Sequence, residues 1–179
     1  MLTREGILSP EFCSIEEYLG RNTQSYYDIL SATGQGSWNP ANDTTEWVRY
    51  CLTAHYVQAQ SVLRRFQESE ATWSMLEDAI SKAKLPPRCI QALFNATFGL
   101  EVRNSSYRSA VRSAEPENAI SKQTATNDLT RMVEAGLLSK QGEKRGSRYV
   151  GSGAVIDIQQ AHRDQREPIT FDHLFDPDA

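Results

Sequence analysis

Gln123, Thr124, Asn127, Thr130 and Arg131 share one side of a segment whose other side is apolar. Their types matter as much as their spacing. Gln and Asn side chains can pair bidentately with adenine and Arg with guanine, in a major groove wide enough for a helix. A second group, Lys144, Arg145 and Arg148, follows in a glycine-flanked stretch and carries charge suited to phosphate or to a minor groove. The same residues also fit plainer roles. Any amphipathic helix needs a polar outer face, such a face can equally meet a protein, and Asp128 and Glu134 are expected to dilute the positive field.

The elements that would position these groups can be read around them. Ser121 suits an N-cap, because its hydroxyl can accept from an orphan amide of the first turn. Ala125, Leu129, Met132 and Val133 then recur at three-and-four spacing, the stripe of a one-sided helix. Gly136 stands where a left-handed C-terminal cap is expected. Beyond it the period changes, and residues 137–141 and 147–151 read as strands joined by Gly142-Glu143-Lys144-Arg145-Gly146. Upstream, residues 88–98 offer Ile90, Leu93, Phe94 and Ala96 to a core, and 103–113 offer Tyr107, Ala110 and Val111. This order of parts resembles a winged helix-turn-helix domain, with a recognition helix from Ser121 and a two-stranded β-hairpin wing.

Charge follows the same division. Residues 82–151 hold twelve Lys/Arg against six Asp/Glu, residues 1–81 five against eleven, and residues 152–179 two against six. A sequence pI near 5.4 therefore hides a basic segment between two acidic ones, and such segregation fits a polyanion partner or, more plainly, a solvated face. No run approaches the roughly 18 apolar residues of a membrane span, so no membrane association is expected. Cys13, Cys51 and Cys89 are far apart, with no C-x-x-C or Cys/His ligand spacing. They read as reduced core fillers of a cytoplasmic protein, and neither a metal site nor a cofactor is expected.

The acidic N-terminal part reads as helical. Ser14-Ile15-Glu16-Glu17 fits a capping box opening a helix that should fail near Gly34-Gln35-Gly36. Asp43-Thr44-Thr45-Glu46 repeats the capping logic before a longer helix, with a stripe at Val48, Leu52, Tyr56, Ala59, Leu63 and Phe66. That helix either continues or restarts through Trp73, Leu76 and Ile80 before Pro86-Pro87. The run Gly6-Ile7-Leu8-Ser9-Pro10, Ser14 to Tyr18, Arg21-Asn22, Tyr26-Tyr27 and Leu30, then Gly36-Ser37-Trp38 and Glu46-Trp47, resembles the closing helices of a Fic domain. Many Fic proteins continue into a C-terminal winged helix, so the resemblance spans roughly residues 2–151. It implies a protein that transfers AMP from ATP to target hydroxyls.

The loop that performs that transfer, H-P-F-x-x-G-N-G-R, has no match here, and His55, His162 and His173 do not sit in one. The resemblance implies that the loop lies upstream of Met1, so no catalytic residue is assigned to this chain. Ser113 to Asn118 fits the loose pattern of the Fic inhibitory helix, but Pro116 breaks helices, and a turn is expected there. His55 is expected to be a partly buried packing residue. The final stretch, with Phe171, Leu174 and Phe175, reads as a tail that docks its aromatics, the alternative being an acidic segment that covers the basic face.

The resulting expectation is a mainly α chain in three parts. Residues 1–84 form a helical bundle segment, 85–151 the winged helix-turn-helix with its small antiparallel hairpin, and 152–179 a helical, acidic tail. Its expected role is a regulatory, DNA-binding module of a Fic-type protein adenylyltransferase, with double-stranded DNA as partner. The alternative is a protein-interaction or dimerisation module that positions or inhibits the Fic catalytic region or meets a protein substrate. Apolar surface around Tyr26, Tyr27 and Trp38 implies a homo-oligomer.

Overall fold

A computed structural model describes residues 14–143 and 146–175; Cys13, Lys144 and Arg145 lie outside the described residues. The chain is mainly helical with one small antiparallel sheet. It divides into two compact units, the described residues of Met1–Phe66 with Glu167–Ala179, and Gln67–Arg166.

In the first unit, α1 (Glu16–Arg21) and α2 (Thr23–Gly34) replace the single helix expected from the sequence. Local side chains break it. Asn22 donates its amide to the Tyr18 carbonyl at 2.9 Å, and the Thr23 hydroxyl donates to the Gly20 carbonyl at 3.0 Å, so polar groups compete with the backbone ladder. The expected capping box is also absent. Ser14 Oγ accepts from the Glu16 amide at 3.3 Å, while Glu17 turns away to accept from Arg65 and Gln58 and to pair with Arg21. As expected, α2 ends at the glycines, with Gln35 at φ 48° and Gly36 at φ 77°.

Asp43 caps α3 (Thr45–Lys82), accepting from the Thr45 amide at 2.9 Å. This helix runs unbroken. Its expected stripe lies largely outward: Val48, Leu52, Leu63 and Phe66 are each about half exposed, and the side buried in their stead includes Ala54 and Gln58. His55 is exposed, not partly buried. The inward side carries an aromatic chain, Tyr26 to Trp47 at 6.0 Å and Trp47 stacked on Tyr50 at 6.2 Å. The tail joins this unit, with the Arg49 guanidinium 5.7 Å from the Phe175 ring.

The second unit holds one continuous core. Leu76 and Ile80 from the end of α3 join residues of α4 (Ile90–Thr97), α5 (Asn104–Ala114), α6 (Lys122–Glu134), the hairpin and α7 (Gly153–Asp164). A 3-10 turn at Pro87–Cys89 leads into α4, and another at Pro116–Asn118 separates α5 from α6, where the proline-bearing turn was expected. Strands β1 (Leu138–Gln141) and β2 (Arg148–Gly151) pair antiparallel from Leu138 opposite Gly151 to Gln141 opposite Arg148. Val102 adds an isolated rung outside these strands, exchanging two backbone hydrogen bonds of 2.8 Å with Tyr149. Gly151 has to be a glycine: a Cβ there would stand 2.8 Å from the Ala96 carbonyl oxygen.

Candidate nucleic-acid interface

Helix α6 is fixed at both ends by the residues expected to fix it. Ser121 Oγ accepts from the Thr124 amide at 3.0 Å, and Gly136 adopts φ 71° just past the C-terminus. Ala125, Leu129 and Met132 are fully buried, so the register of the helix about its axis is set by the core.

The fourth buried residue of α6 is an acid. Asp128, only 3% exposed, receives Arg88 Nε at 2.7 Å, Arg88 Nη2 at 3.0 Å and the Tyr107 hydroxyl at 3.0 Å. Asp128 therefore does not dilute the outer field as the sequence led us to expect. Its charge is spent inside, and its hydrogen bonds raise the Arg88 pKa above the ordinary value. Cys89 Sγ lies 3.6 Å from the Tyr107 oxygen, and burial pushes both the Cys89 thiol and the Tyr107 hydroxyl up, so both stay protonated. The spacing carried a sign, since Asp128 follows Ala125 by three residues and precedes Met132 by four, but its partners Arg88 and Tyr107 lie too far off in the chain for periodicity to name them.

The outer face keeps only part of the expected set together. Gln123 and Asn127 are exposed and adjacent, with Gln123 Nε2 donating to Asn127 Oδ1 at 3.0 Å, and Thr130 continues their row. Thr124 is half-buried, and its hydroxyl is tied to Ser121 at 2.9 Å as part of the cap. Arg131 bends to the other flank and donates to the Lys84 carbonyl. On β2, Arg148 is engaged by Glu101 at 2.8 Å and by Gln141 Oε1 at 3.1 Å. Lys144 and Arg145 fall outside the described residues.

A basic cleft that spacing did not single out lies beside this row. It has a volume of about 680 Å³ and is lined by Arg103, Arg108, Lys122 and Lys140 together with Asn104, Ser105, Thr126, Ser147 and Tyr149. Asn104 ties its walls together, donating to the Lys122 carbonyl at 3.0 Å and to Thr126 Oγ1 at 2.9 Å. Arg108 Nε reaches the Ile120 carbonyl at 3.3 Å. The only sequence signal for the cleft was net charge, since its four cations come from three separate stretches of chain.

Among the described residues no group of His, Cys, Asp and Glu is placed to hold a metal ion, and no helix is long and apolar enough to cross a membrane. His162 is half-buried with Nε2 unpartnered, far in sequence from His55 and His173. The chain matches no protein-family model, no curated protein and no solved structure.

Proposed function

We propose that residues 85–151 form a winged helix-turn-helix domain and that it binds double-stranded DNA, as the regulatory part of a Fic-type protein AMP-transferase. The observation that carries the reading is the outer row of α6. Gln123, Asn127 and Thr130 are exposed on a helix whose opposite face is locked into the core, so the row is rigidly presented with its hydrogen-bonding groups outward. The succession α4, Val102 rung, α5, α6, β1 and β2 supports the domain assignment. In this reading α6 enters the major groove, and the hairpin bearing Lys144, Arg145 and Arg148 is the wing. The chain supplies no catalytic residue, takes no cofactor and works in the cytoplasm.

The test is fluorescence anisotropy of the chain against pooled genomic fragments over a salt series. Phosphate contacts release counterions, so affinity should fall steeply with salt. On a selected site, Asn127→Ala should cost about 1–3 kcal/mol and leave random DNA unaffected. No binding even at low salt would end the DNA reading.

A second reading rests on another observation. Tyr27, Trp38, Val48, Leu52 and Leu63 of the first unit are between about half and nine-tenths exposed, more apolar surface than an isolated unit usually leaves bare. Such surface suits the Fic catalytic region or a second copy of the chain. In this reading the basic unit serves protein recognition, and binding would persist at high salt.

A further inference from the structure

We infer that the basic cleft between α5, α6 and the hairpin is a phosphodiester site that seats one strand of a duplex beside the Gln123–Asn127 row. The assignment rests on the DNA-binding reading above and makes it specific. Four cationic side chains converge on the cleft from separate positions: Arg103 just before α5, Arg108 within it, Lys122 at the first turn of α6, and Lys140 on β1. None of the described lining residues is acidic. Like charges crowded around one cavity repel unless an anion joins them. Among the described ion pairs, Glu101 meets one cleft cation, Arg103, at 3.6 Å, and makes its closer contact with Arg148 at 2.8 Å.

The other lining groups fit the same ligand. Ser105, Thr126, Ser147 and Tyr149 offer hydroxyls, and the Asn104 and Ser105 amides in the first turn of α5 by position lack intrahelical acceptors. The volume, about 680 Å³, is in the range that holds whole ligands and not single ions. Its placement is equally telling. Lys122 and Thr126 line the cleft, and the residues that follow each of them, Gln123 and Asn127, form the exposed row. A backbone held in the cleft would set register while the row reads base edges.

The cations that meet phosphate are then Arg103, Arg108, Lys122 and Lys140, while Arg131 and Arg148 are held by Lys84 and Glu101. The experiment compares the full chain with Lys122→Ala/Lys140→Ala, Arg103→Ala/Arg108→Ala and Arg131→Ala/Arg148→Ala on short labelled duplexes across a salt series. Each cleft pair should weaken binding alike on every sequence and flatten the salt slope by about two. The Arg131/Arg148 pair should flatten it by less than about one. Because Arg108 also braces the Ile120 carbonyl, the lysine pair, checked for unchanged circular dichroism, decides the matter if the arginine pair fails to fold. If the cleft pairs bind like the parent while the Arg131/Arg148 pair loses affinity, the cleft assignment is overturned and the DNA reading stands. If the parent itself binds no duplex at low salt, both fall.

Discussion

Replacing Asp128 with alanine should unfold the basic unit at a markedly lower denaturant concentration, although the residue looks like a surface acid in the sequence. The magnitude follows from three hydrogen bonds. The Tyr107 hydroxyl loses its acceptor at 3.0 Å in a site only 1% exposed and keeps only the weak Cys89 sulfur at 3.6 Å, and a buried hydroxyl so poorly satisfied costs about 1–3 kcal/mol. Arg88 loses both contacts, but its side chain is 34% exposed and can turn to water. The full 3–5 kcal/mol of a broken buried pair therefore does not apply, and about 1 kcal/mol is a fair share. Together these give about 3 kcal/mol, or about 15 °C in Tm for a unit of this size. Urea unfolding followed by circular dichroism, with the m-value checked for constancy, measures it. Tyr107→Phe alone should cost about 1 kcal/mol, because Asp128 keeps Arg88. The double variant should cost less than the sum of the two, the sign of a shared bond. An Asp128→Ala chain within about 1 kcal/mol of the parent would refute the network as a source of stability.

Three further outcomes are expected. Glu17 is held down to about 2, chiefly by hydrogen bonds from Arg65 and then Gln58; its stabilisation is whole above pH about 4.5 and fades as pH falls toward 2. With its side chain one-third exposed, screening limits the effect to about 1 kcal/mol, and Glu17→Gln should flatten an acid titration of stability over that window. Gly151→Ala should destabilise by about 1–3 kcal/mol in a urea melt, because its methyl would press on the Ala96 carbonyl; an unchanged midpoint would show that β2 can shift away. The half-exposed Val48, Leu52 and Leu63 row should drive self-association in sedimentation equilibrium, relieved by Leu52→Asp/Leu63→Asp, and a parent that stays monomeric at high concentration would count against it.

How far the sequence could be read depended on whether a residue's partner lay nearby in the chain. Ser121 and Gly136 declare the ends of α6 because a cap acts within one turn, and both behave as expected. The antiparallel hairpin and the turn before α6 were legible for the same reason. Asn22 and Thr23, by contrast, break the N-terminal helix through bonds back to Tyr18 and Gly20, although residues of these types also sit unremarked in helix interiors. The outward stripe of α3 shows a different limit. Spacing shows which residues share a face, but it does not say which face finds a neighbour, and Ala54 and Gln58 are buried where Leu52 and Leu63 are not.

The candidate interface was half legible for a related reason. Gln123 and Asn127 stand out because a helix of known register presents them together. Arg131 and Arg148 carried the right chemistry at suitable positions, yet each is drawn to an acceptor 47 residues distant in the chain, the Lys84 carbonyl and the Glu101 carboxylate. An arginine has five donors and no acceptor, so folding tends to commit it wherever a carbonyl or carboxylate comes within reach. An exposed lysine is less constrained, and Lys122 and Lys140 line the cleft. Asp128 completes the logic from the inside. By drawing Arg88 and Tyr107 against α6, a buried acid on the helix's inner face fixes the rotation at which Gln123 and Asn127 face out. The same charge, exposed, would have opposed any approaching polyanion. Burying it removes that opposition while its bonds secure the helix, which is why the stability of Asp128 variants and their affinity for duplex DNA should fall together if α6 is the contact surface.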